Sequence, residues 1–149
     1  MSVIDRLRRY TPRGDSVVGI LFSASYCKWC TAFMSHLLSV SPGLRQYNID
    51  IVMAGSDKTR EEYDQYANGM DWPSIDFDDP LRSELREIYN IKTIPALVFI
   101  DASGAIIDAT GRFLVADTLD TIYEPACAAR AIASALGRHI DYDSDDLDF

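Results

Sequence analysis

The chain has 149 residues, 48% of them hydrophobic and 25% charged, and a formal net charge of −9. That profile fits one globular domain large enough to bury its own core. No basic stripe interleaves with aromatics, which argues against a nucleic-acid partner, and no apolar run is long enough to cross a bilayer.

In chain order, residues 1–15 read as a short helix or arm carried by Val3, Ile4 and Leu7 and closed by Pro12 and Gly14. Residues 16–23 form a continuous, branched apolar run, the signature of a strand buried on both faces. Cys30, Phe33, Met34, Leu37 and Leu38 then recur at helical spacing, so a helix is expected over 28–40, stopped by Ser41-Pro42-Gly43 and free of internal proline. Residues 48–54 give a second buried strand, which makes a parallel βαβ unit.

A helix follows over 59–69, with Tyr63, Tyr66, Ala67 and Met70 on one face, broken at Trp72-Pro73. Pro80 opens another, striped by Leu81, Leu85, Ile88 and Tyr89. Residues 95–100 and 105–110 read as strands joined by the turn Asp101-Ala102-Ser103-Gly104, hence a hairpin. A last helix covers 125–136, with Ala128, Ile132, Ala135 and Leu136 inward and Gly137 as C-cap. The expected fold is α/β: a mixed central sheet, a βαβ unit plus a C-terminal hairpin, with helices on both faces. Residues 1–140 form one domain. Residues 141–149, with five Asp and no base, form an acidic tail expected to be disordered.

Three cysteines, Cys27, Cys30 and Cys127, are too few and odd in number for a disulfide scaffold. Cys27-Lys28-Trp29-Cys30 lies where a buried strand hands over to a helix. The first amides of a helix lack intrahelical partners and carry partial positive charge, so a thiolate there is stabilised. Cys27 is the candidate attacking thiol and Cys30, one turn in, the resolving thiol. Thr93-Ile94-Pro95-Ala96 puts a proline at a strand's first position, where a cis bond would present a backbone edge beside the dithiol.

Phe22-Ser23-Ala24-Ser25-Tyr26-Cys27-Lys28-Trp29-Cys30 resembles the redox site of the thioredoxin superfamily, most closely its tryparedoxin and nucleoredoxin branch. Met70-Asp71-Trp72-Pro73 and the segment from Ile91 to Asp101 are similar to further landmarks of that branch, and the likeness covers about residues 17 to 111. The resemblance implies a thioredoxin fold and protein-disulfide oxidoreductase activity. It implies Cys27 and Cys30 as the redox pair and Pro95 as the cis-proline. Disulfide-containing proteins, peroxidases among them, would be acceptors. An external thiol reductant (trypanothione, glutathione or a reductase) would be the donor, and no cofactor is bound. Lys28-Trp29 replaces the branch's Pro-Pro, Tyr26 its Trp, and Leu21 stands where thioredoxin keeps a buried Asp.

Tyr26, Lys28, Trp29, Ile94 and Pro95 are thus candidates for shaping the site or binding substrate. Trp29 suits either a docking surface or packing near Trp72. Asp57 either caps the helix near Thr59 or relays protons. Cys127 reads as a packed small hydrophobe or a regulatory thiol. His36 reads as a helix-surface residue and His139 as a helix-end residue. Two other functions compete: a thioredoxin-fold binding or redox-sensor module with little turnover, and a zinc protein using Cys127, His36 or His139 beside the pair, which lacks a second close pair of ligands. No metal is expected. The opening lacks the apolar stretch of a secretory signal. Arg6, Arg8, Arg9 and Arg13 faintly resemble an organelle-targeting segment interrupted by Asp5, and the cytoplasm is the expected compartment.

Overall fold

A computed structural model describes residues 2–138; the acidic tail and His139 lie outside the described residues. Helix α1 (Val3–Arg8) opens the chain, held by a capping box between Ser2 and Asp5. Strand β1 (Val17–Ser23) and strand β2 (Ile49–Gly55) are buried at every position, as expected of strands covered on both faces. Helix α2 (Lys28–Gln46) joins them, so the two strands pair in parallel, from Val17 opposite Ile49 to Ser23 opposite Gly55. Helices α3 (Arg60–Ala67) and α4 (Leu81–Ile88) precede strand β3 (Ala96–Ile100) and strand β4 (Ile106–Asp108). The sheet order is β2-β1-β3-β4, with β3 antiparallel to β1 and β4 antiparallel to β3. Helices α5 (Gly111–Thr121) and α6 (Pro125–Ala135) close the described chain.

Alternation along β1 divides the core. Val17 and Leu21 face the cluster built with Phe33, Leu37 and Leu44 of α2 and Ile132 of α6. Val18, Ile20 and Phe22 face the cluster with Leu7 of α1 and Leu81 and Leu85 of α4. By the same period of two, Ser23 falls on the α2 face.

Four expectations are corrected by the packing. The helix after the cysteines does not stop at Ser41-Pro42-Gly43. It runs to Gln46 with Pro42 inside it. An internal proline costs about 3 kcal/mol, but the extra turn buries Leu44, worth about 1.5–3 kcal/mol, and packs α2 against α6. Gly43 is what allows the contact: a Cβ there would sit 2.5 Å from the Ala129 Cβ of α6. Second, α5 was not foreseen at all. Its first residue, Gly111, lies so close to β3 that a Cβ would meet the Leu97 carbonyl at 2.7 Å. Third, β4 is shorter than expected, because Asp108 accepts hydrogen bonds from the Thr110 amide and hydroxyl and turns the chain. Fourth, two inward assignments fail: Ile88 is exposed, and in α6 Ala135 is exposed while Ala129 and Ala133 are buried.

The free edge of β2 is covered. Segment 73–75 lies along it, with the Met53 amide donating to Pro73 and the Ile75 amide donating to Met53, both at 2.9 Å. Pro80 leads into α4 and Gly137, at φ +78°, follows α6 as expected.

Candidate active site

The parallel pair β1–β2 delivers its C-terminal ends to one edge of the molecule, and the candidate chemistry gathers there. Cys27 is the N-cap of α2: its backbone is extended and its sulfur accepts the Cys30 amide at 3.2 Å. An amide of the first helical turn, which has no intrahelical partner, therefore points at sulfur. Cys27 is partly exposed, Cys30 is 1% exposed, and neither is in a disulfide. Burial pushes the Cys30 thiol up to about 11, its hydrogen bond with Cys27 adds to the rise, and a hydrogen bond with Ser23 opposes it. The two thiols of one motif thus differ in their access to solvent.

The Ile94–Pro95 peptide is cis. The Cys27 thiol faces the Ile94 carbonyl at 3.9 Å, so the segment before β3 stands beside the Cys27 sulfur. Tyr26 and Trp29 project into solvent, 64% and 61% exposed. The Lys28 ammonium lies over the Trp29 ring, 5.2 Å from its centroid. Trp29 is not packed in the interior; Trp72 is, with its indole N–H toward the Met70 sulfur at 3.1 Å. A solvent groove of about 320 Å³ lies between Tyr26, Lys58 and Glu62.

Asp57 does not cap α3. Thr59 does, its hydroxyl accepting the Glu62 amide at 3.2 Å. Asp57 Oδ1 instead accepts the Ser25 amide at 2.8 Å and so ties the loop before Cys27 to the end of β2. Its Oδ2 is buried with no hydrogen-bond partner among the described residues. Arg82 braces the end of β2, donating to the Gly55 carbonyl at 2.6 Å while its guanidinium stacks on Tyr63.

Sequence reasoning missed three site residues. Arg112, on the unforeseen α5, donates to the Pro95 carbonyl at 3.5 Å. Ser23 and Tyr66 share a hydrogen bond of 2.7 Å beneath the cysteine pair. The strand's alternation was the available signal for Ser23; Tyr66 was read only as core. Cys127 is exposed at the start of α6, against its reading as a packed small hydrophobe, and the neighbouring Glu124 carboxylate raises its thiol above the ordinary value. His36 is exposed on α2, as its spacing implies. Among the described residues, no group of three His, Cys, Asp or Glu side chains converges on a common point, and no helix is long and apolar enough to cross a membrane.

Comparison with known proteins agrees with this geometry. The pattern of the thioredoxin-like family matches residues 14–106. Nucleoredoxin of Homo sapiens is 31% identical over 108 residues, which cover 70% of this chain and 25% of that protein. The probable nucleoredoxin 1 of Arabidopsis thaliana is 29% identical over 96 residues, 63% of this chain and 17% of that one. The likeness therefore spans a quarter or less of these curated relatives' length. Among solved structures, tryparedoxin II complexed with glutathionylspermidine superposes with a TM-score of 0.66 at 27% identity, covering 69% of this chain and 74% of that one.

Proposed function

This chain belongs to the thioredoxin-like family, on its tryparedoxin and nucleoredoxin side, and from that premise we propose that it is a protein-disulfide oxidoreductase working by dithiol–disulfide exchange through Cys27 and Cys30. The observation that carries the proposal is the asymmetry of the pair: an accessible sulfur capping a helix, and a buried sulfur one turn inside it whose amide already bonds the first.

In the reductive direction the Cys27 thiolate attacks a disulfide of the partner and expels one partner thiolate, which takes up a proton. The mixed disulfide sits against the Ile94 carbonyl. Cys30 then loses its proton and attacks the Cys27 sulfur. The Cys27–Cys30 bond forms, the second partner thiolate leaves, and the two electrons have passed to the partner. An external thiol restores the dithiol; no bound cofactor takes part. Tyr26, Lys28 and Trp29 form the docking rim, with Ile94 and Pro95 opposite, and Asp57 serves as the nearby proton acceptor. The acceptors are disulfide-bearing proteins, peroxidases among them, and the donor is a low-molecular-weight thiol such as trypanothione or glutathione, in the cytoplasm.

The test is reduction of insulin or of an oxidised peroxidase, with trypanothione, glutathione and a thioredoxin reductase as alternative donors, in wild type and Cys27→Ser. Turnover in the wild type that disappears in the variant is the expected result. Equal rates in both would discard exchange at this site.

A further inference from the structure

The chain has a net charge of −9, yet its three lysines, Lys28, Lys58 and Lys92, all lie at the edge that holds the cysteine pair. Lys28 sits inside the motif, with its ammonium over the Trp29 ring. Lys58 follows Asp57, whose carboxylate accepts the Ser25 amide of the loop before Cys27 at 2.8 Å. It lines the groove of about 320 Å³ with Tyr26. Lys92 precedes Ile94 by two residues, a span of at most about 7 Å, and the Ile94 carbonyl faces the Cys27 sulfur at 3.9 Å. Sheet order β2-β1-β3 sets Cys27, beyond the end of β1, between Lys58, beyond the end of β2, and Lys92, ahead of β3.

These cations are free. All three lysines are exposed, and none is in a salt bridge among the described residues, whereas Arg6, Arg13, Arg45 and Arg60 each meet a carboxylate. A second groove, of about 460 Å³, is lined by Arg86, Lys92, Asn90 and Ile91, with Glu87 as its one carboxylate. Arg86 ties this groove to the cysteine edge by donating to Ser56 Oγ at 3.1 Å, two residues before Lys58. The carboxylate of the first groove, Glu62, is already engaged by the Thr59 hydroxyl at 2.8 Å.

Resting on the exchange reading above, we propose that this edge selects acidic partners: the disulfide-bearing polypeptide that Cys27 attacks carries carboxylates on both sides of its reacting cysteine. One side lies in the groove of Tyr26 and Lys58, the other in the groove of Arg86 and Lys92, and Lys28 stands beside the sulfur. Unpaired cations gathered on one edge of an acidic chain draw anionic segments to it and repel basic ones. The chemistry itself is unchanged. Cys27 and Cys30 give up two electrons and two protons, their sulfurs join, and the partner disulfide leaves as two thiols.

Three peptide disulfides test the selection. Each is the symmetric disulfide of a short peptide whose single cysteine is flanked on both sides by Glu, by Gln or by Lys. Reduced protein in a Cys127→Ala background, which removes the exposed third thiol, is mixed with each, and free peptide is measured by chromatography after an acid quench. Each rate is divided by that of dithiothreitol with the same peptide at the same pH and salt, which removes the peptides' own differences in reactivity. At low salt the Glu peptide should react about tenfold faster than the Gln peptide, and the Lys peptide severalfold slower. The spread should collapse at about 1 M salt, where charges are screened within about 3 Å. The double variant Lys58→Glu, Lys92→Glu should invert the order of the Glu and Lys peptides, which a mere loss of structure would not do. Equal normalised rates, a spread indifferent to salt, or an order unchanged in the double variant would overturn the selection. A parent that reduces none of the three peptides would instead overturn the exchange reading itself.

Discussion

Two aspartates at opposite ends of the same parallel strand pair show how differently this sheet treats a buried charge. Asp50, near the start of β2, and Asp57, just beyond its end, are each 2% exposed. Asp50 is held by Arg13 through two bonds, Nη2 to Oδ1 at 2.7 Å and Nε to Oδ2 at 3.3 Å. Arg13 in turn donates to the Arg45 carbonyl at 3.0 Å and so staples the arm before β1 to the end of α2. Asp57 is bonded through Oδ1 alone, to the Ser25 amide. One end of the sheet spends its buried carboxylate on cohesion. The other keeps one oxygen uncommitted behind the loop that leads to the cysteine pair. Incomplete satisfaction of a buried polar group is costly, and it is concentrated where exchange chemistry would use it.

Substitutions sharpen that contrast. The largest effect belongs to the working end: Cys27→Ser should abolish disulfide reduction while leaving the melting temperature within a few degrees of wild type, read by insulin turbidity and by circular dichroism. At the structural end, Arg13→Ala strands the Asp50 carboxylate. It should lower stability by about 2–4 kcal/mol, at or below the usual cost of breaking a buried pair because Arg13 is partly exposed. Urea denaturation measures the loss, and exchange by the remaining folded protein should keep its wild-type rate.

The thiol at the working end makes stability depend on pH. Burial raises Cys30 from 9.0 to about 11 in the folded state, so the folded protein holds this proton more tightly than the unfolded chain does. The resulting stability is fully present below pH 9 and is lost as pH rises toward about 11. A loss of about 2 kcal/mol is expected across that window. Tyr63 and Tyr66, both raised from 10.0 to about 12 by burial, add losses that begin near pH 10 and so overlap the upper part of that window. The difference between wild type and Cys30→Ala in denaturation at stepped pH isolates the thiol, and the slope of that difference should flatten below pH 9. The smallest effect is expected for Asp57→Asn. Replacing a half-satisfied carboxylate with an amide should change stability by less than about 1 kcal/mol, whereas exchange should slow severalfold. A stability loss as large as that of Arg13→Ala would erase the distinction between the two ends.

How much of this was legible beforehand follows from which interactions are local. β1 and β2 read directly, because unbroken branched runs have few other places to go. The cysteine pair read from spacing and from its position between strand and helix. Pro42 and Gly43 misled, because their local preference is to stop a helix, and only the distant Ala129 explains why a glycine and one more turn belong there. α5 was hidden for a similar reason: Gly111 looks like a turn, and Thr110 offers no side-chain cap bond. Yet Val115, Leu119 and Ile122 carried a helical stripe that a longer window would have caught. The Ser23–Tyr66 contact joins a strand end to a helix far along the chain, and no local pattern encodes such a pair.

Unequal roles for two adjacent thiols are tested most directly by trapping. Reduced Cys30→Ser protein, again without Cys127, is incubated with oxidised glutathione and digested, and the mixed disulfide is located by mass spectrometry. The expected outcome is a stable glutathione adduct on Cys27, with wild-type Cys30 in the same background releasing it and leaving a Cys27–Cys30 disulfide. A Cys27 that forms no adduct, or an adduct that persists in the presence of Cys30, would contradict the assignment of attack to one sulfur and resolution to the other.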